Sequence, residues 1–463
     1  MRYVSTRGTA PTLEFDDVLL TGLARDGGLY VPESVPTISP SRMRAFADMP
    51  YADVAIEVMW PFVEGAIDEG IFAEIVQDAY RSFSHPEVVP LVELGGNVYL
   101  LELFHGPTLA FKDVALQLVG HLFEYELLKR GERVTIVGAT SGDTGSAAIE
   151  ACRDREAIEI CILHPAGRVS DVQRRQMTTV LSPNVHNLAV EGTFDDCQDL
   201  VKAMFNDLPF RDRHHLSAVN SINWARILPQ TVYYVKAAAQ LGRPVTFSVP
   251  TGNFGNIFAG WVARQMGVPI RQLVIGSNRN DILPRFFESG VMAMHGVTPT
   301  SSPSMDIQVS SNFERLLFEL CGRNGAVVTH LMTRFRAEGS VDMGEGPLAM
   351  AREIFDAARI DDEAVLRVIA ATYDRTGKIV DPHTAVGLGA AGMLHHDPAV
   401  PVVALATAHP AKFPDAVEDA IGIRPELPDF LSDLLERPER FDVVANDLAA
   451  VEEYVASSSR MEA

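Results

Sequence analysis

Short apolar runs alternate with longer amphipathic stretches from about residue 97 onwards, and this alternation restricts the possible folds more than any other feature of the sequence. The apolar runs have the length of strands and cover residues 98–104, 134–137, 158–163, 245–249, 273–275 and 402–406. Amphipathic stretches of helix length lie between them, for example at residues 114–128, 195–205, 227–241 and 363–373. Continuous apolar strands that alternate with helices are typical of parallel sheets with both faces covered. The sequence therefore predicts an α/β fold with two parallel-rich sheets, because so many units exceed the usual size of one open sheet.

The first 90 residues follow a different pattern. Helical spacing of apolar residues occurs at residues 53–62 and 70–83, and prolines at positions 32, 36, 40 and 50 interrupt the chain before them. Helical stretches that are bounded by proline-containing breaks indicate a small, mostly helical unit at the N-terminus.

The charge balance and the cysteine content exclude several classes of protein. Acidic residues number 61 against 39 basic ones, which gives a formal net charge of -22. Nucleic acids and anionic membranes need a cationic surface, so we expect neither as a partner. The four cysteines form no CxxC pair, and no apolar run is long enough to span a membrane. We therefore expect a cytoplasmic protein without disulfides or structural zinc.

Lysine is scarce, which narrows the search for an amine nucleophile. Only six of the 39 basic residues are lysine, and arginine cannot act as a nucleophilic amine at accessible pH. Lys112 lies beside Phe111 where a helix is expected to begin, and an apolar setting and a helix N-terminus both favour the uncharged amine. Because the uncharged amine is the form that reacts with an aldehyde to give an imine, we predict that Lys112 is the functional amine. Lys412, after a His-Pro turn, is the one rival.

A glycine-rich loop follows the apolar run at residues 134–137 and leads into a helix predicted at residues 147–153. Its sequence is Val137-Gly-Ala-Thr-Ser-Gly-Asp-Thr-Gly-Ser146. The glycines let backbone N–H groups converge, the hydroxyls supply further donors, and the helix N-terminus adds partial positive charge. The loop therefore predicts an anion site. It lacks the Lys-Ser/Thr ending of a nucleotide phosphate loop, so we do not expect a triphosphate.

A second loop has the same arrangement between the apolar run at residues 245–249 and a helix predicted at residues 257–266. Its sequence is Pro250-Thr-Gly-Asn-Phe-Gly-Asn256. Gly252 and Gly255 permit close backbone approach, while Asn253 and Asn256 offer side-chain hydrogen bonds. Two anion loops in one α/β chain indicate two phosphates, or one phosphate and one carboxylate, in the ligands.

Two other motifs resemble binding sites only superficially. Residues 387–392 have the GxGxxG spacing of a dinucleotide fingerprint but do not directly follow a strand, so we interpret them as a closely packed helix. The pairs His214-His215 and His395-His396 lack the carboxylate–histidine spacing of a metal site. We predict that they are surface or loop histidines and that the protein holds no metal.

A reactive lysine with glycine-rich anion loops in a two-sheet α/β chain resembles the pyridoxal-phosphate enzymes of the tryptophan synthase β type. Among them the sequence is similar to the threonine synthase family, in its longer form with an N-terminal extension. The resemblance covers residues 3 to about 415, and its lysine and serine–methionine motifs are the specific ones. The matching segments, in family order, are Tyr3-Val-Ser-Thr-Arg-Gly8, His105-Gly-Pro-Thr-Leu-Ala-Phe-Lys-Asp113, Ala139-Thr-Ser-Gly-Asp-Thr-Gly145, Asn220-Ser-Ile-Asn-Trp-Ala-Arg226, Gly252-Asn-Phe-Gly-Asn256, Ser302-Pro-Ser-Met-Asp-Ile307 and Ala406-Thr-Ala-His-Pro410.

The resemblance implies a role for each matching residue. Lys112 is implied as the catalytic residue that forms an imine with the cofactor, pyridoxal 5'-phosphate. The implied cofactor-binding residues are the phosphate loop Gly252, Asn253, Phe254, Gly255 and Asn256, then Thr407 at the pyridine nitrogen, and Asp143. The implied substrate-binding residues are Ser141, Thr144, Asn220, Ser221 and Arg226. Shorter family members carry asparagine at the position of Asp143, and there the amide contacts the ring oxygen of the cofactor, so the contact made by Asp143 stays open.

The resemblance also implies the reaction and the organisation of the chain. The substrate would be O-phospho-L-homoserine, which reacts with water to give L-threonine and phosphate by γ-elimination and β-addition, with Lys112 moving the α proton. The implied domains are an N-terminal helical domain at residues 1–90, a large cofactor-binding α/β domain at residues 91–119 and 226–463, and a small α/β domain at residues 120–225. A monomer or a homodimer is expected.

Three alternatives stay open at this point. A sister enzyme of the same fold, which acts on serine or threonine, needs no second phosphate site, so residues 220–226 favour threonine synthase. A dinucleotide-dependent oxidoreductase would use residues 387–392. A noncatalytic binding protein could keep the fold, but it would not need Lys112 and both anion loops.

Overall fold

The computed structural model describes residues 1–218, 221–394 and 397–458. Among these residues no helix is long and apolar enough to cross a membrane. The strands, in chain order, are β1 (Tyr3–Ser5), β2 (Tyr30–Pro32), β3 (Leu91–Gly95), β4 (Val98–Glu102), β5 (Val134–Ala139), β6 (Ile158–Pro165), β7 (Val185–Glu191), β8 (Leu216–Ser217), β9 (Val245–Pro250), β10 (Ile270–Ser277), β11 (Val291–Ala293), β12 (Ser340–Asp342), β13 (Phe355–Arg359), β14 (Val402–Ala406) and β15 (Asp442–Ala445).

The α-helices fill most of the chain between the strands, and short 3-10 helices occur at Pro303–Met305, Pro410–Lys412 and Asp429–Leu431. The α-helices are α1 (Phe15–Thr21), α2 (Pro40–Ala45), α3 (Tyr51–Val63), α4 (Glu69–Arg81), α5 (Lys112–Arg130), α6 (Asp143–Cys152), α7 (Asp171–Thr178), α8 (Phe194–Asn206), α9 (Leu208–Arg213), α10 (Trp224–Leu241), α11 (Gly255–Gln265), α12 (Ile282–Ser289), α13 (Phe313–Leu320), α14 (Gly325–Glu338), α15 (Glu345–Arg352), α16 (Asp362–Thr376), α17 (Pro382–Leu394), α18 (Pro414–Ile421) and α19 (Leu448–Ser458).

The chain forms two compact units. The first unit consists of Met1–Gly106 and Ser221–Pro425, and the second of Pro107–Asn220 and Glu426–Ala463. The second unit includes α5, which packs on α6, and β15, which pairs with β7. The expected division into three domains, at residues 1–90, 91–119 with 226–463, and 120–225, remains a prediction.

The first unit contains a six-stranded sheet in the order β13-β10-β9-β14-β4-β3. All neighbouring strands are parallel except β3, which runs antiparallel to β4. Every residue of β9 and β14 is buried, which explains why these strands are continuous apolar runs in the sequence. Because β9 and β14 are parallel neighbours, the loops that follow them leave from the same edge of the sheet. In α/β sheets this edge, outside the carboxyl ends of the strands, is where ligands bind.

The second unit contains a five-stranded sheet in the order β15-β7-β6-β5-β8, and its strand pairs are parallel. All eight residues of β6 are buried, as expected of a strand covered on both faces. Helix α5 packs closely on α6, since a Cβ on Gly120 would lie 2.2 Å from the carbonyl oxygen of Ala151. The predicted α/β fold with two parallel-rich sheets is confirmed.

The first 90 residues are mainly helical, as predicted, and belong to the first unit. Strands β1 and β2 form an antiparallel ribbon in which Tyr3 lies opposite Pro32. The predicted helices at residues 53–62 and 70–83 correspond to α3 and α4. Helix α4 begins after Asp68, whose carboxylate accepts hydrogen bonds from the first-turn backbone N–H groups of Gly70 and Ile71, and this interaction stabilises the helix N-terminus.

The GxGxxG motif lies inside helix α17, so its interpretation as a packed helix is confirmed. A Cβ on Gly387 would lie 3.2 Å from Cδ of Pro250, and one on Gly389 would lie 3.1 Å from Cδ1 of Ile360. The glycines therefore allow α17 to approach the sheet closely.

Candidate active site

Lys112 is the first residue of α5 and is buried in the second unit. Its Nζ donates a hydrogen bond to Oδ2 of Asp143 at 3.3 Å and lies 5.9 Å from the centroid of the Phe111 ring. The predicted helix start is confirmed to within one residue. The amine is therefore held in the protein interior between a carboxylate and an aromatic ring.

The turn before Lys112 is fixed by an adjacent carboxylate. The backbone N–H and the hydroxyl of Thr108 donate to the two carboxylate oxygens of Asp113 at 2.8 and 2.7 Å. Nε2 of Gln176, on α7, donates to the carbonyl oxygen of Thr108 at 3.0 Å. Leu109, which follows Thr108, adopts a left-handed conformation with φ 62°. This conformation is strained for a side chain of this size and is found preferentially at functional sites. These contacts hold Lys112 at a defined position.

The glycine-rich loop of the second unit differs from its prediction in where the helix begins. Helix α6 starts at Asp143, four residues before the predicted start at residue 147, so Asp143 and Thr144 lie in its first turn. Oδ1 of Asp143 accepts a hydrogen bond from Nε2 of Gln173 at 2.9 Å. Gly142 permits this contact, because a Cβ there would lie 2.5 Å from Cδ of Gln173. Asp143 is thereby oriented by α7, with its other oxygen toward Lys112.

Two N–H groups of this loop are satisfied inside the loop itself. Oγ1 of Thr140 accepts hydrogen bonds from the backbone N–H groups of Gly142 and Gly145 at 3.0 and 2.9 Å. Ser141 is exposed and Thr144 is partly exposed, so these two hydroxyls can reach a ligand. The anion site predicted here remains a prediction that depends on these hydroxyls and on the N-terminus of α6.

Replacing Asp143 with asparagine is expected to accelerate imine formation between Lys112 and the aldehyde of the expected cofactor, pyridoxal phosphate, by about three- to tenfold at pH 7. The Asp143 carboxylate favours the ammonium form of Lys112, and an amide of the same size can still accept from Gln173 while removing that charge. Stopped-flow absorbance of the bound cofactor measures the rate. Asp171→Asn, an exposed change on α7, serves as the control, and an unchanged or slower rate in Asp143→Asn would contradict this interpretation.

The loop between β9 and α11, in the first unit, has the geometry of an anion cradle. Phe254 caps α11 in a left-handed conformation with φ 62°, which presents the first N–H groups of the helix at the end of the loop. A Cβ on Gly252 would lie 2.9 Å from the carbonyl oxygen of Ser304, within the Ser302–Ile307 motif. A Cβ on Gly255 would lie 3.3 Å from Cδ1 of Ile227 on α10. Both glycines are therefore required for close packing of the loop.

Asn256, in the first turn of α11, supplies a buried amide donor. Its Oδ1 accepts hydrogen bonds from the hydroxyls of Tyr233 and Tyr234 at 2.5 and 2.8 Å. Burial raises the pKa of both tyrosines, so the hydroxyls stay protonated and fix the orientation of the amide. Nδ2 of Asn256 is buried and has no hydrogen-bond partner among the described residues. A phosphate group bound to the loop would satisfy this donor together with the N-terminal N–H groups of α11.

Arg226 is buried in the first turn of α10, where a positive charge is doubly unfavourable. Burial lowers the pKa of its guanidinium to about 10, and the helix N-terminus carries positive partial charge of its own. Nε and Nη1 of Arg226 have no hydrogen-bond partner among the described residues. Burying two guanidinium nitrogens without acceptors is costly in a folded protein unless an anion binds to them. The side chain therefore fits an anionic ligand such as a phosphate.

The first unit brings four of the predicted elements together. Thr407, which is buried, directly follows β14 and lies at the same sheet edge as the loop Gly252–Asn256 after β9. Asn312 joins that loop to Ser221, because its Nδ2 donates to the carbonyl oxygens of Asn253 and Ser221 at 3.0 and 3.1 Å. Arg226 lies in α10, which begins at Trp224, shortly after Ser221. Asn220 lies outside the described residues. Lys112, Ser141, Asp143 and Thr144 belong to the second unit.

Sequence reasoning missed the residues that support these sites. Gln173 and Gln176 orient Asp143 and Thr108 in the second unit, and Asn312 supports the loops of the first. The only local signal for these residues is that Gln173 and Gln176, three residues apart, share one face of a helix. This spacing does not indicate which residues they contact. Lys236, within the predicted amphipathic helix at residues 227–241, is buried and donates to three backbone carbonyl oxygens of residues 46–49.

Of the two positions predicted for the histidine pairs, surface or loop, the loop position is confirmed for His214, which lies in a turn. Its side chain is nevertheless buried, and its ring packs against Phe210 with ring centroids 4.6 Å apart. The aromatic contact supplies the apolar burial that the sequence did not reveal. His395 and His396 lie outside the described residues. Within the described part of the chain, no group of three or more candidate ligands could hold a metal ion.

Family models match most of the chain. A model described as "Pyridoxal-phosphate dependent enzyme" matches residues 87–408, and models described as "Threonine synthase N terminus" and "Threonine synthase, C-terminal" match residues 2–80 and 384–455. The expectation drawn from the motifs is therefore confirmed by matches that extend beyond them.

Individual relatives agree with the family models. The chain is 55% identical to a threonine synthase of Pseudomonas aeruginosa, over 98% of each chain. A crystal structure of threonine synthase from Brucella melitensis with bound pyridoxal phosphate is 54% identical, with a TM-score of 0.98 over 99% of this chain and 100% of that one. A yeast threonine synthase structure is 38% identical, with a TM-score of 0.95 over 99% and 98% of the two chains.

Proposed function

The chain belongs to the threonine synthase family of pyridoxal-phosphate-dependent enzymes, and from this we propose that it converts O-phospho-L-homoserine and water to L-threonine and phosphate. The observation that carries the proposal is the buried Lys112 amine beside Asp143, in a chain that also holds an anion cradle and a buried, unsatisfied Arg226. A lysine, a cofactor-phosphate cradle and a second anion site are the parts that this reaction needs.

The cofactor and the protein divide the chemistry. Pyridoxal phosphate, when bound, withdraws electrons from the α and β carbons of an amino-acid substrate. Lys112 would hold the cofactor, and its Nζ would take the α proton of the substrate and return it. The N-terminus of α11, with Gly255 and Asn256, would hold the cofactor phosphate. Thr407 would offer the pyridine nitrogen a neutral hydroxyl, which does not protonate it.

The substrate phosphate is the leaving group, and its site has to favour a dianion. Arg226 binds it through a guanidinium that no protein acceptor among the described residues satisfies at Nε and Nη1. Ser221, at the start of the same segment, and Ser141, Thr144 and Asn220 supply hydroxyl and amide donors to the substrate. Each oxygen of Asp143 already accepts one hydrogen bond, from Lys112 or from Gln173. Because a carboxylate oxygen can accept a second hydrogen bond, Asp143 can also contact a donor group of the cofactor.

The proposal extends to the cellular location, the oligomeric state and the partners of the enzyme. We expect the enzyme to act in the cytoplasm as a monomer or homodimer, with small molecules rather than nucleic acid or membrane as partners. The net charge of -22 supports the last point.

Product analysis tests the proposed reaction. The purified holoenzyme is incubated separately with O-phosphohomoserine, serine and threonine. We expect equal amounts of threonine and inorganic phosphate from O-phosphohomoserine. Ammonia and a keto acid from serine or threonine, with no phosphate released from O-phosphohomoserine, would instead identify a sister dehydratase of the same fold.

A further inference from the structure

Asn312 is completely buried and contacts the cofactor-phosphate loop, Gly252–Asn256. Its backbone N–H donates to the carbonyl oxygen of Asn253 at 3.1 Å, and its Nδ2 donates to the same oxygen at 3.0 Å. Nδ2 also donates to the carbonyl oxygen of Ser221 at 3.1 Å. One amide therefore connects the cofactor-phosphate loop to the substrate-phosphate segment, residues 221–226.

Arg315, one turn further along α13, fixes that amide. Its Nη1 donates to Oδ1 of Asn312, which determines which end of the amide faces the two loops. Its Nη2 donates to the carbonyl oxygen of Ile222 at 2.5 Å, so Arg315 also holds the substrate-phosphate segment directly. Arg315 is completely buried, and burial lowers the pKa of its guanidinium to about 9. Hydrogen bonds to three oxygen acceptors compensate for the cost of burying the guanidinium.

The N-terminal segment supplies the third acceptor. Nε of Arg315 donates to the carbonyl oxygen of Tyr30, on β2, at 3.1 Å. The neighbouring residue Glu314 is also buried and accepts hydrogen bonds from the N-terminal residues Thr6 and Arg7, at 2.7 Å from the hydroxyl of Thr6 and at 3.0 and 3.1 Å from the guanidinium of Arg7. Two successive residues of α13 are thus bound to the first 31 residues of the chain.

A second contact ties the N-terminal segment to the start of α10. Nδ2 of Asn223 donates to the carbonyl oxygen of Leu19, on α1, at 2.7 Å, while its Oδ1 caps α10 by accepting from the N–H of Ala225 at 2.9 Å. Arg226 is the next residue of that helix. The N-terminal segment therefore contacts the supports of both phosphate-binding segments in the first unit.

We propose that Arg315 and Asn312 are positioning residues that set the spacing between the cofactor-phosphate loop and the substrate-phosphate segment, with the N-terminal segment as the fixed support of Arg315. The inference rests on the proposed function, because it takes Gly252–Asn256 as the cradle of the cofactor phosphate and Ser221 and Arg226 as part of the substrate site. It assigns to the first 31 residues a role in ligand binding rather than in packing alone.

The proposal predicts that weakening the hydrogen bonds of Arg315 lowers the affinity for ligands that carry a phosphate group. The affinity for the remainder of the cofactor should change little. Arg315→Lys keeps the charge but cannot reach three acceptors in different directions. We expect the apparent Kd for pyridoxal phosphate to rise about tenfold, and the KM for O-phosphohomoserine to rise by a similar factor. The Kd for pyridoxal, which has no phosphate, should change by less than about twofold, and kcat at saturation should fall by less than about threefold.

The experiment titrates the apoproteins of the wild type and of the variants with pyridoxal phosphate and with pyridoxal, followed by the absorbance of the bound aldehyde. Arg323→Gln is the matched control. Arg323 follows the same helix and donates to the carbonyl oxygen of Pro32, the last residue of β2, at 2.8 Å. Its removal therefore weakens a contact with the end of β2, just after the first 31 residues, that leads to neither loop. Its affinity for both aldehydes should match the wild type. If Arg315→Lys does not fold, the same comparison with Asn312→Ala decides.

The outcomes separate this inference from the proposed function. A wild-type protein that binds pyridoxal phosphate no more tightly than pyridoxal would overturn the phosphate cradle itself. A wild-type preference that survives within about twofold in Arg315→Lys would overturn the positioning role alone. Equal weakening of both aldehydes would also overturn it, because that result indicates a general loss of structure rather than a change at the phosphate loops.

Discussion

Replacing Lys112 with arginine should abolish the visible absorbance of the bound cofactor and lower the rate of threonine formation by about 1,000- to 10,000-fold. Arginine retains a positive charge that can pair with Asp143, so the local electrostatics change little. It cannot form a covalent bond with the aldehyde or exchange the α proton of the substrate, because its guanidinium stays protonated at accessible pH. Absorbance spectra of the purified variant and single-turnover assays with O-phosphohomoserine measure the two effects.

Lys129→Arg is the matched control for this variant. Lys129 lies near the end of the same helix, α5, is partly exposed, and pairs with Glu126 at 3.1 Å. We expect its spectrum and its rate to equal those of the wild type within about twofold, as is usual for surface changes. A Lys112→Arg protein that retains the cofactor band would show that another amine binds the cofactor, and the buried Lys412 would be the first to examine.

Replacing Arg226 with methionine should lower kcat/KM for O-phosphohomoserine by about 100- to 1,000-fold, because two charge-assisted hydrogen bonds to the substrate phosphate are lost. Binding of pyridoxal phosphate should stay within about twofold of the wild type, since the cofactor phosphate is assigned to α11 and not to α10. Steady-state kinetics and cofactor titration measure the two quantities. Arg226→Lys should recover part of the loss, because it restores the charge without the fork geometry.

The same substitution should make the ligand-free protein more stable. The pKa of Arg226 is lowered to about 10 by burial, so below that pH the protonated guanidinium costs the folded state more than the unfolded state, and the cost disappears as the pH rises above 10. At pH 7 we expect Arg226→Met to raise the free energy of unfolding by about 1 to 3 kcal/mol. With pyridoxal phosphate bound, so that the cradle at Gly252–Asn256 is filled, inorganic phosphate should raise the Tm of the wild type and leave that of Arg226→Met unchanged.

Arg315→Met supplies the contrasting control for this stability effect. Arg315 is buried to the same degree as Arg226 or more, but its guanidinium donates to three oxygen acceptors. Removing it leaves these acceptors unsatisfied, so we expect a loss of about 2 to 4 kcal/mol rather than a gain. If Arg226→Met and Arg315→Met were destabilised equally, Arg226 would have to be a structural residue and its assignment to the substrate phosphate would be wrong.

The sequence predicted most of the buried strands of the fold, but it missed several edge strands and the interior strand β7, whose apolar run is interrupted by His186 and Asn187. The predicted strands at residues 134–137, 158–163, 245–249 and 402–406 all lie within observed strands, because a strand covered on both faces is continuously apolar. The edge strands β13 and β15 were missed, since both contain exposed and charged residues. Edge strands lack a neighbour on one side, so their sequences do not need to be apolar throughout.

The start of α6 shows how local preference and tertiary contacts differ. The sequence around Gly142, Asp143 and Thr144 disfavours a helix interior, so the helix was predicted to begin at residue 147. The structure begins it at Asp143 because a carboxylate is favourable in the first turn and because the hydroxyl of Ser146 donates to the carbonyl oxygen of Asp143 at 3.2 Å.

The candidate site was predictable where a residue has a local signature. Lys112 and the two glycine-rich loops could be found because lysine chemistry and glycine spacing are visible within a few residues. The support provided by Gln173 and Arg315 could not, because Asp143, Ile222 and Tyr30, which they contact, lie between 30 and 285 residues away along the chain. No spacing rule connects a side chain to a carbonyl oxygen at that distance in sequence.

Mapping the lysine that binds the cofactor tests the central claim most directly. The holoenzyme is reduced with borohydride, which converts the bond between the cofactor and the lysine into a stable secondary amine, and is then digested and analysed by mass spectrometry. We predict that the pyridoxyl group is found on Lys112, at one equivalent per chain. A label on Lys412 or on any other lysine, or a protein that carries no label after incubation with pyridoxal phosphate, would contradict the account.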